Sequence, residues 1–344
     1  MLTRTVAGRT FDYSHAVGGR YIGQPCSLAV GSGNTVYVLL RGGENISNVA
    51  WNRTGTGSRV ARLSIPETAG DEEFIGEAGS YGDGDGEYIW PTGLALDSQE
   101  NVYVTDEWMN RITVTDREGK FICSWGATGT GDGEFDGPAG IAVDADDNLY
   151  IVDSRNHRVQ KTTKDGKFLG KWGSLGNGSG EFDSPWGICL DGEGNVYVAD
   201  HKNDRVQKFT SDGDYLASFG SSGTGRGEVT RPTDVAVDPD GDVYICDWAN
   251  DRVQAYAPDG EFITTFIGDA QQLALWHQMT VDANTDVIKA RRRVTTLEPE
   301  WRLAMPRAVA FDEEKSRLMV ADTQRGRIQI YNKLKDYLEP QFNL

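Results

Sequence analysis

One pattern recurs along the middle of the chain at a constant spacing. Four copies start at Pro91, Pro138, Pro185 and Pro232, each 47 residues after the one before. A copy begins with a short run such as Pro138-Ala-Gly-Ile-Ala-Val-Asp and continues through an Asn- or Asp-rich turn into a second apolar run that ends in Asp. A period of about 40–50 residues indicates a series of equivalent structural units, so it takes precedence over any local pattern.

Each unit contains four short runs of alternating apolar and polar residues, separated by turns rich in Asp, Asn and Gly. This arrangement predicts a four-stranded antiparallel sheet. Such a sheet cannot bury both faces alone, and radial packing of equivalent sheets around an axis solves that problem. The sequence therefore predicts an all-β, six-bladed β-propeller that forms a single domain over residues 1–344, with inner strands that begin at Pro25, Pro91, Pro138, Pro185, Pro232 and Pro306.

The two ends of the sequence complement each other. Residues 10–24 have the pattern of an outermost strand and its Gly-rich loop, without the strands that should precede them. Residues 306–331 supply three strands, after which the pattern stops. We expect these two segments to share one blade, which closes the ring and removes its free edge.

The residue pattern of the repeat resembles that of a known family. Pro-x-Gly-Ile/Leu-Ala-Val-Asp followed by Val-Tyr-Val-x-Asp-x-x-Asn-x-Arg-Val is similar to the NHL repeat of six-bladed β-propellers. Some proteins of this fold, the peptidyl-hydroxyglycine lyases, carry metal-binding histidines directly after the proline. No post-proline residue of this chain is His, so the resemblance implies neither that zinc site nor that activity. Gluconolactonase-like propellers use Asp, Glu or Asn ligands in the channel, and the post-proline positions offer none.

Two insertions interrupt the regular spacing. The first covers residues 42–58, between the second and third strands of the first blade. The second covers residues 269–304 and is rich in helix-forming residues, so we expect one or two short helices there. In an antiparallel meander both connections reach the same face of the ring, called the top face here. Long ordered loops in compact domains are usually functional, so we expect a lid or wall over the central opening. The alternative is an elaboration that only stabilises one blade.

Positions that vary between blades mark the candidate site. The residue after each inner-strand proline and the residue after each second-strand Asp should both face the mouth of the channel. The recurrent Asp and Arg residues, such as Asp200 and Arg205, are expected to tie strands together instead. The candidate acid–base or nucleophilic residues are His201, Glu107 and Cys26. The candidate substrate-binding residues are Arg41, Arg53, Trp186, Trp248, His277 and Arg307.

Composition narrows the class of partner. The formal net charge of −18 argues against a nucleic-acid partner, since phosphate binding needs a basic surface. No apolar run is long enough to cross a membrane, and the first residues lack a signal-peptide core, so we expect a cytoplasmic protein without a membrane partner. The chain has four histidines without clustered spacing and four cysteines without a disulfide framework. We therefore expect no metal and no other cofactor.

Two functional hypotheses remain open. The first is a metal-independent enzyme of the lyase, hydrolase or isomerase type, which acts on a small anionic or aromatic substrate in a pocket of the top face. Arginines and tryptophans around one concave opening suit such a ligand through ion pairing and stacking. The second is a non-catalytic propeller that senses a ligand or binds a protein on its top face, because this architecture hosts many unrelated functions.

Overall fold

Six antiparallel sheets arranged in a ring make up the structure. The computed structural model describes residues 3–19, 21–42 and 57–335. Blades 1–5 have four strands each, and blade 6 has five. The inner strands of consecutive blades contact one another around the ring, and the inner strand of blade 6 contacts that of blade 1. The predicted all-β six-bladed propeller is confirmed.

The strands follow one another blade by blade along the chain. The first two, which belong to blade 6, are β1 (Thr3–Val6) and β2 (Arg9–Gly18). Blade 1 contains β3 (Pro25–Val30), β4 (Thr35–Leu40), β5 (Arg59–Ser64) and β6 (Glu73–Ala78), and a short parallel pair, β7 (Ser80–Tyr81) and β8 (Glu87–Tyr88), leads onward. Blade 2 contains β9 (Pro91–Leu96), β10 (Val102–Asp106), β11 (Arg111–Thr115) and β12 (Phe121–Trp125), followed by the pair β13 (Ala127–Thr128) and β14 (Glu134–Phe135).

The remaining blades repeat this order. Blade 3 contains β15 (Pro138–Val143), β16 (Leu149–Asp153), β17 (Arg158–Thr162) and β18 (Phe168–Trp172). Blade 4 contains β19 (Ile188–Leu190), β20 (Val196–Asp200), β21 (Arg205–Phe209) and β22 (Tyr215–Phe219). Blade 5 contains β23 (Pro232–Val237), β24 (Val243–Asp247), β25 (Arg252–Tyr256) and β26 (Phe262–Phe266). Three helices follow, α1 (Leu275–Asp282), α2 (Thr285–Arg291) and α3 (Glu298–Trp301), and blade 6 is completed by β27 (Pro306–Asp312), β28 (Arg317–Asp322) and β29 (Arg327–Leu334).

The ring is closed by a strand from the other end of the chain. β2 pairs antiparallel with β29 from Thr10↔Leu334 to Gly18↔Arg327, with one irregularity between Tyr13 and His15. This is the predicted shared blade. The repeat pattern does not predict β1, which adds a fifth strand outside β2.

An Asp and an Arg form an ion pair at the top edge of blades 3 to 6, as predicted from their recurrence. In blade 2, Arg111 donates to the carbonyl oxygens of Asp83 and Gly84. In blade 4, Asp200 Oδ2 accepts hydrogen bonds from Arg205 Nε at 2.9 Å and Gln207 Nε2 at 3.1 Å. The same guanidinium donates to the carbonyl oxygens of Gly178 and Glu181 in the Gly-rich loop. Asp200 is fully buried, so its charge is balanced by this network rather than by solvent.

The inner strands approach one another very closely around the channel. A Cβ atom at Gly140 would lie 2.6 Å from the carbonyl oxygen of Trp186, and one at Gly93 would collide with that of Ala139. Glycine is therefore required at the third position of these inner strands, because any side chain would displace the neighbouring backbone.

The helical insertion packs against the outer part of blade 6. Trp276 of α1 is buried against Val17 and Ile22, and its ring makes an edge contact with Tyr21 at 4.9 Å between centroids. None of the helices in the described ranges has the length and apolar character needed to span a bilayer.

Candidate functional site

The channel between the inner strands contains a cavity of about 370 Å³. Its wall is formed by the inner strands of all six blades. In the described part of the chain, no residue of the 269–304 insertion lines it, so α1 to α3 do not form the expected lid over this cavity. Five of the six post-proline residues do line it, namely Cys26, Thr92, Trp186, Thr233 and Arg307.

Arg307 is the basic residue of the cavity wall. Its guanidinium carbon lies 5.6 Å from the centroid of the Trp186 ring, which is within the range of a cation–π contact. Among the described residues it has neither an ion pair nor a hydrogen bond, unlike the arginines of the blade edges. An anionic ligand group would supply the missing counter-charge.

His201 stands between two tryptophans at the mouth. Its ring centroid lies 5.5 Å from that of Trp186 and 6.3 Å from that of Trp248. Nδ1 lies 3.1 Å from the carbonyl oxygen of Pro232. Because a carbonyl oxygen can only accept, Nδ1 carries the proton and Nε2 keeps its lone pair. Burial lowers the pKa of His201, so the ring is neutral at pH 7.

Glu107 and Arg41 are bound to each other and to their surroundings. The Glu107 carboxylate lies 3.5 Å from Arg41 and 4.0 Å from Arg155. The Arg41 guanidinium also lies 4.3 Å from the centroid of the Trp90 ring. Both residues therefore contribute to the rim, but neither lines the cavity of 370 Å³.

Cys26 lines the cavity but is poorly suited to the nucleophilic role predicted for it. Its thiol faces the carbonyl oxygens of Leu39, at 3.4 Å, and Pro91, at 3.9 Å. Burial raises the pKa of the thiol, and the positive charges of Arg307 and Arg41 oppose this only in part. The thiol is therefore protonated at neutral pH, whereas a nucleophilic cysteine reacts as the thiolate.

His277 lies in a different depression of the top face. It belongs to α1 and lines a groove of about 570 Å³ together with Arg41, Arg59 and both flanks of the first insertion, Gly42 and Gly57. Burial, and secondarily the charge of Arg327, lowers the pKa of His277. The structure does not bring His277 into the central cavity. The predicted ligand residue Arg53 lies outside the described residues.

Sequence reasoning missed Asp234, which lines the cavity. It occupies the third inner-strand position, where three blades have the glycines Gly93, Gly140 and Gly187. Burial raises the pKa of its carboxyl to about 7. A comparison of the third inner-strand positions of the six blades would have found Asp234, because it is the charged residue among them.

Metal donors are sparse around the channel. Within residues 3–19, 21–42 and 57–335, no three His, Cys, Asp or Glu side chains are grouped in a way that could hold a metal ion. The cavity wall carries the Arg307 guanidinium, the carboxyls of Asp234 and Glu313 and the Trp186 ring. His201 and Trp248 do not line this cavity, and His201 lies beside it, next to Trp186.

Comparison with known proteins identifies the repeat. The family model of the NHL repeat matches residues 89–114, 135–161, 182–209 and 230–256, which correspond to parts of blades 2 to 5. A comparison with curated protein sequences finds no match.

Several solved structures share the arrangement of the blades. Virginiamycin B lyase from Staphylococcus aureus, in a catalytically inactive variant with quinupristin, superposes with a TM-score of 0.55 at 12% identity, over 94% of this chain and 100% of that one. A streptogramin B lyase gives 0.53 at 12% identity, over 94% and 97%. A protein of unknown function from Bacteroides thetaiotaomicron gives 0.57 at 17% identity, over 95% and 76%. At these identities the likeness establishes the fold alone.

Proposed function

Since the chain is a six-bladed β-propeller of the NHL-repeat family, we propose that it is a small-molecule enzyme whose central cavity binds an anionic substrate with a flat group. The reaction proposed is of the lyase, hydrolase or isomerase type, proceeds by acid–base chemistry and needs no metal. The family does not supply this function, because one fold serves many activities. The support comes from Arg307 and Trp186, which line the cavity, and from His201, which lies next to Trp186.

The observation that carries the proposal is the state of Arg307. A guanidinium that lines a cavity and has no counter-ion among the described residues is available to pair with the negative charge of a ligand. Trp186 beneath it offers a flat apolar surface. Cavities of about 300–1,000 Å³ are typical of small-molecule sites, and this one, at about 370 Å³, falls in that range.

His201 is the group best suited to move a proton. Its Nδ1–H donates to Pro232, which fixes the ring, and its Nε2 is free to accept a proton at neutral pH. In an elimination, Nε2 would take the proton from the atom next to the bond that breaks, and the electron pair of the C–H bond would form the new double bond as the leaving group departs. Arg307 would hold the anionic group of the substrate during this step.

The similar structures are compatible with this class of reaction. Virginiamycin B lyase and streptogramin B lyase are lyases by name, and each aligns with 94% of this chain. At 12% identity they support only the statement that a propeller of this kind can host a lyase.

The test is a thermal-shift screen of small aromatic and aliphatic carboxylates and phosphates. We expect stabilising compounds for the wild type, and for Arg117→Ala as a control because Arg117 is exposed and lies in a turn of the opposite face. Arg307→Ala should lose the shift while the unliganded protein melts within a few degrees of the wild type. A large drop in its own melting temperature would show that Arg307 is structural, and a retained shift would show that the anion binds elsewhere.

Catalysis is tested on the compounds that bind. Turnover is followed by NMR in the presence of a chelator, which should have no effect. His201→Gln should lower kcat by about 10²–10⁴-fold and leave affinity nearly unchanged, because it removes the base but not the anion site. Loss of turnover on chelation would contradict the metal-independent mechanism.

A second candidate function is a ligand-sensing or protein-binding propeller without catalysis. Trp108, which follows the second strand of blade 2 on the top face, is 52% exposed, and exposed tryptophans are frequent in protein interfaces. Binding through Arg307 without turnover, and with no effect of His201→Gln, would favour this alternative.

A further inference from the structure

We infer that the ligand of the central cavity carries two opposite charges, an anionic group that pairs with Arg307 and an amine that pairs with the Asp234 carboxyl. The inference rests on the proposed function for the position of the anionic group, and it adds an amine to the ligand. It follows from Arg307 and Asp234, which line one cavity and do not pair with each other, while Glu313, the other charged residue of the wall, is exposed to solvent.

The Asp234 carboxyl is held in a defined position between three blades. Oδ2 accepts a hydrogen bond from the backbone N–H of Val309 on the neighbouring inner strand, at 3.0 Å. On the other side, a Cβ at Gly187 would collide with Oδ1, so this oxygen lies directly over the inner strand of blade 4. The carboxyl of this blade 5 residue is therefore placed by contacts with the inner strands of both neighbouring blades, 4 and 6.

Nothing in the described chain balances the charge of this carboxyl. No Lys, Arg or His nitrogen of residues 3–19, 21–42 and 57–335 lies within ion-pair distance of it, and Arg307 is unpaired as well. Its titratable neighbours are the thiols of Cys189 and Cys246, which burial keeps neutral by raising their pKa values. Burial likewise raises the pKa of Asp234 itself to about 7.

The fold does not need a carboxyl at this position. Blades 2, 3 and 4 have glycine there, and blade 6 has Ala308. In blade 1 the corresponding residue is Ser27, whose hydroxyl oxygen accepts the N–H of Leu94 at 3.2 Å. A neutral oxygen is therefore sufficient to make the contact that Asp234 makes with Val309. The hydrogen bond to Val309 therefore does not explain why a charged residue stands at position 234.

One ligand with both charges would satisfy both side chains. A purely anionic ligand would fill the cavity and leave the Asp234 carboxyl without water or a counter-ion. A simple amine would leave the Arg307 guanidinium without water or a counter-ion. A zwitterion of the amino acid type, with a flat group against Trp186, compensates both at once. The chemical class is therefore a small zwitterion that contains an aromatic or other planar part.

A matched set of probes tests the inference on the full chain. Phenylalanine carries both charges, 3-phenylpropionate only the anion and 2-phenylethylamine only the cation, and all three share the same ring and spacing. Affinities are measured by calorimetry at pH 8 for the wild type, Asp234→Asn and Arg307→Ala. Asn keeps the acceptor for Val309 but removes the charge.

We expect phenylalanine to bind the wild type about tenfold or more tightly than either singly charged probe. Asp234→Asn should reduce the affinity for phenylalanine to that for 3-phenylpropionate. The affinity for 3-phenylpropionate should not change. If Asp234→Asn does not weaken phenylalanine while Arg307→Ala weakens 3-phenylpropionate, the inference is overturned and the anion site stands. If no probe binds at millimolar concentration, or if Arg307→Ala affects none of them, the anion site fails and the inference fails with it.

Discussion

The imidazole of His201 donates from Nδ1 to the carbonyl oxygen of Pro232 over 3.1 Å. Thr323 makes the equivalent contact in blade 6, where its hydroxyl donates to the carbonyl oxygen of Pro25 over 2.7 Å. In blades 4 and 6, the residue after the second strand therefore ties its blade to the next one. In His201 this tie also determines which ring nitrogen is left as a base.

The tautomer of His201 is the first prediction. Long-range ¹H–¹⁵N NMR spectra should show the Nδ1–H form, and the ring should titrate below the ordinary value of 6.5 because burial disfavours the charged form. His201→Gln assigns the signal among the four histidines. An Nε2–H tautomer would remove the proposed base.

The second prediction concerns Asp234 and pH. The ordinary pKa of 3.8 is raised to about 7 in the folded protein, so the folded state holds more protons than the unfolded state between these values. The contribution of Asp234 to the stability of the wild type should therefore fall as pH rises from about 4 to 7. Asp234→Asn cannot ionise and should be more stable than the wild type at pH 8 by roughly 2–4 kcal/mol, with little difference near pH 4, as measured by urea unfolding.

Asp240→Asn is the control of opposite sign. The hydrogen bond from Lys333 lowers the pKa of Asp240, so this carboxylate contributes stability above its ordinary pKa that is lost as pH falls through the lowered one. Its replacement should reduce stability slightly at pH 8. A pH profile for Asp234→Asn that parallels that of the wild type would show that Asp234 has an ordinary pKa.

The third prediction separates structural ion pairs from exposed ones. Asp200→Ala should cost about 3–5 kcal/mol of unfolding free energy, because it leaves the largely buried Arg205 without its counter-ion. Asp132 pairs with Lys171 at 2.6 Å, but both side chains are about half exposed. Asp132→Ala should change the stability by no more than about 1 kcal/mol. Equal effects of the two substitutions would contradict the structural role of the recurrent Asp.

The fourth prediction concerns the attachment of the helical insertion. Trp276 is buried in the core shared by blades 6 and 1, so Trp276→Ala should cost about 3–5 kcal/mol. Met279 belongs to the same helix and is 60% exposed, and Met279→Ala should stay within about 0.5 kcal/mol. A mild effect of Trp276→Ala would show that α1 is only loosely attached to the propeller.

The repeat predicted the fold well because the same physical constraints recur in every blade. The turn residues, the inner-strand prolines and the Asp–Arg pairs serve the same purpose each time, so their spacing alone indicates six blades and a shared sixth. The site is set by departures from the repeat, and these are harder to interpret. Asp234 was missed because it replaces a glycine whose role is close backbone approach. The distance of His277 from the cavity was not predictable, since the path of α1 depends on the burial of Trp276.

Closure of the ring by β2 and β29 has a consequence for biosynthesis. β2 leaves the ribosome early, whereas the strand that it pairs with is made only after five blades have been translated. During that interval the hairpin of β1 and β2 is a solitary ribbon with an unpaired edge, which is prone to associate with other nascent chains. We therefore expect the newly made protein to depend on chaperones, or on slow dilution in refolding, more than its regular architecture suggests.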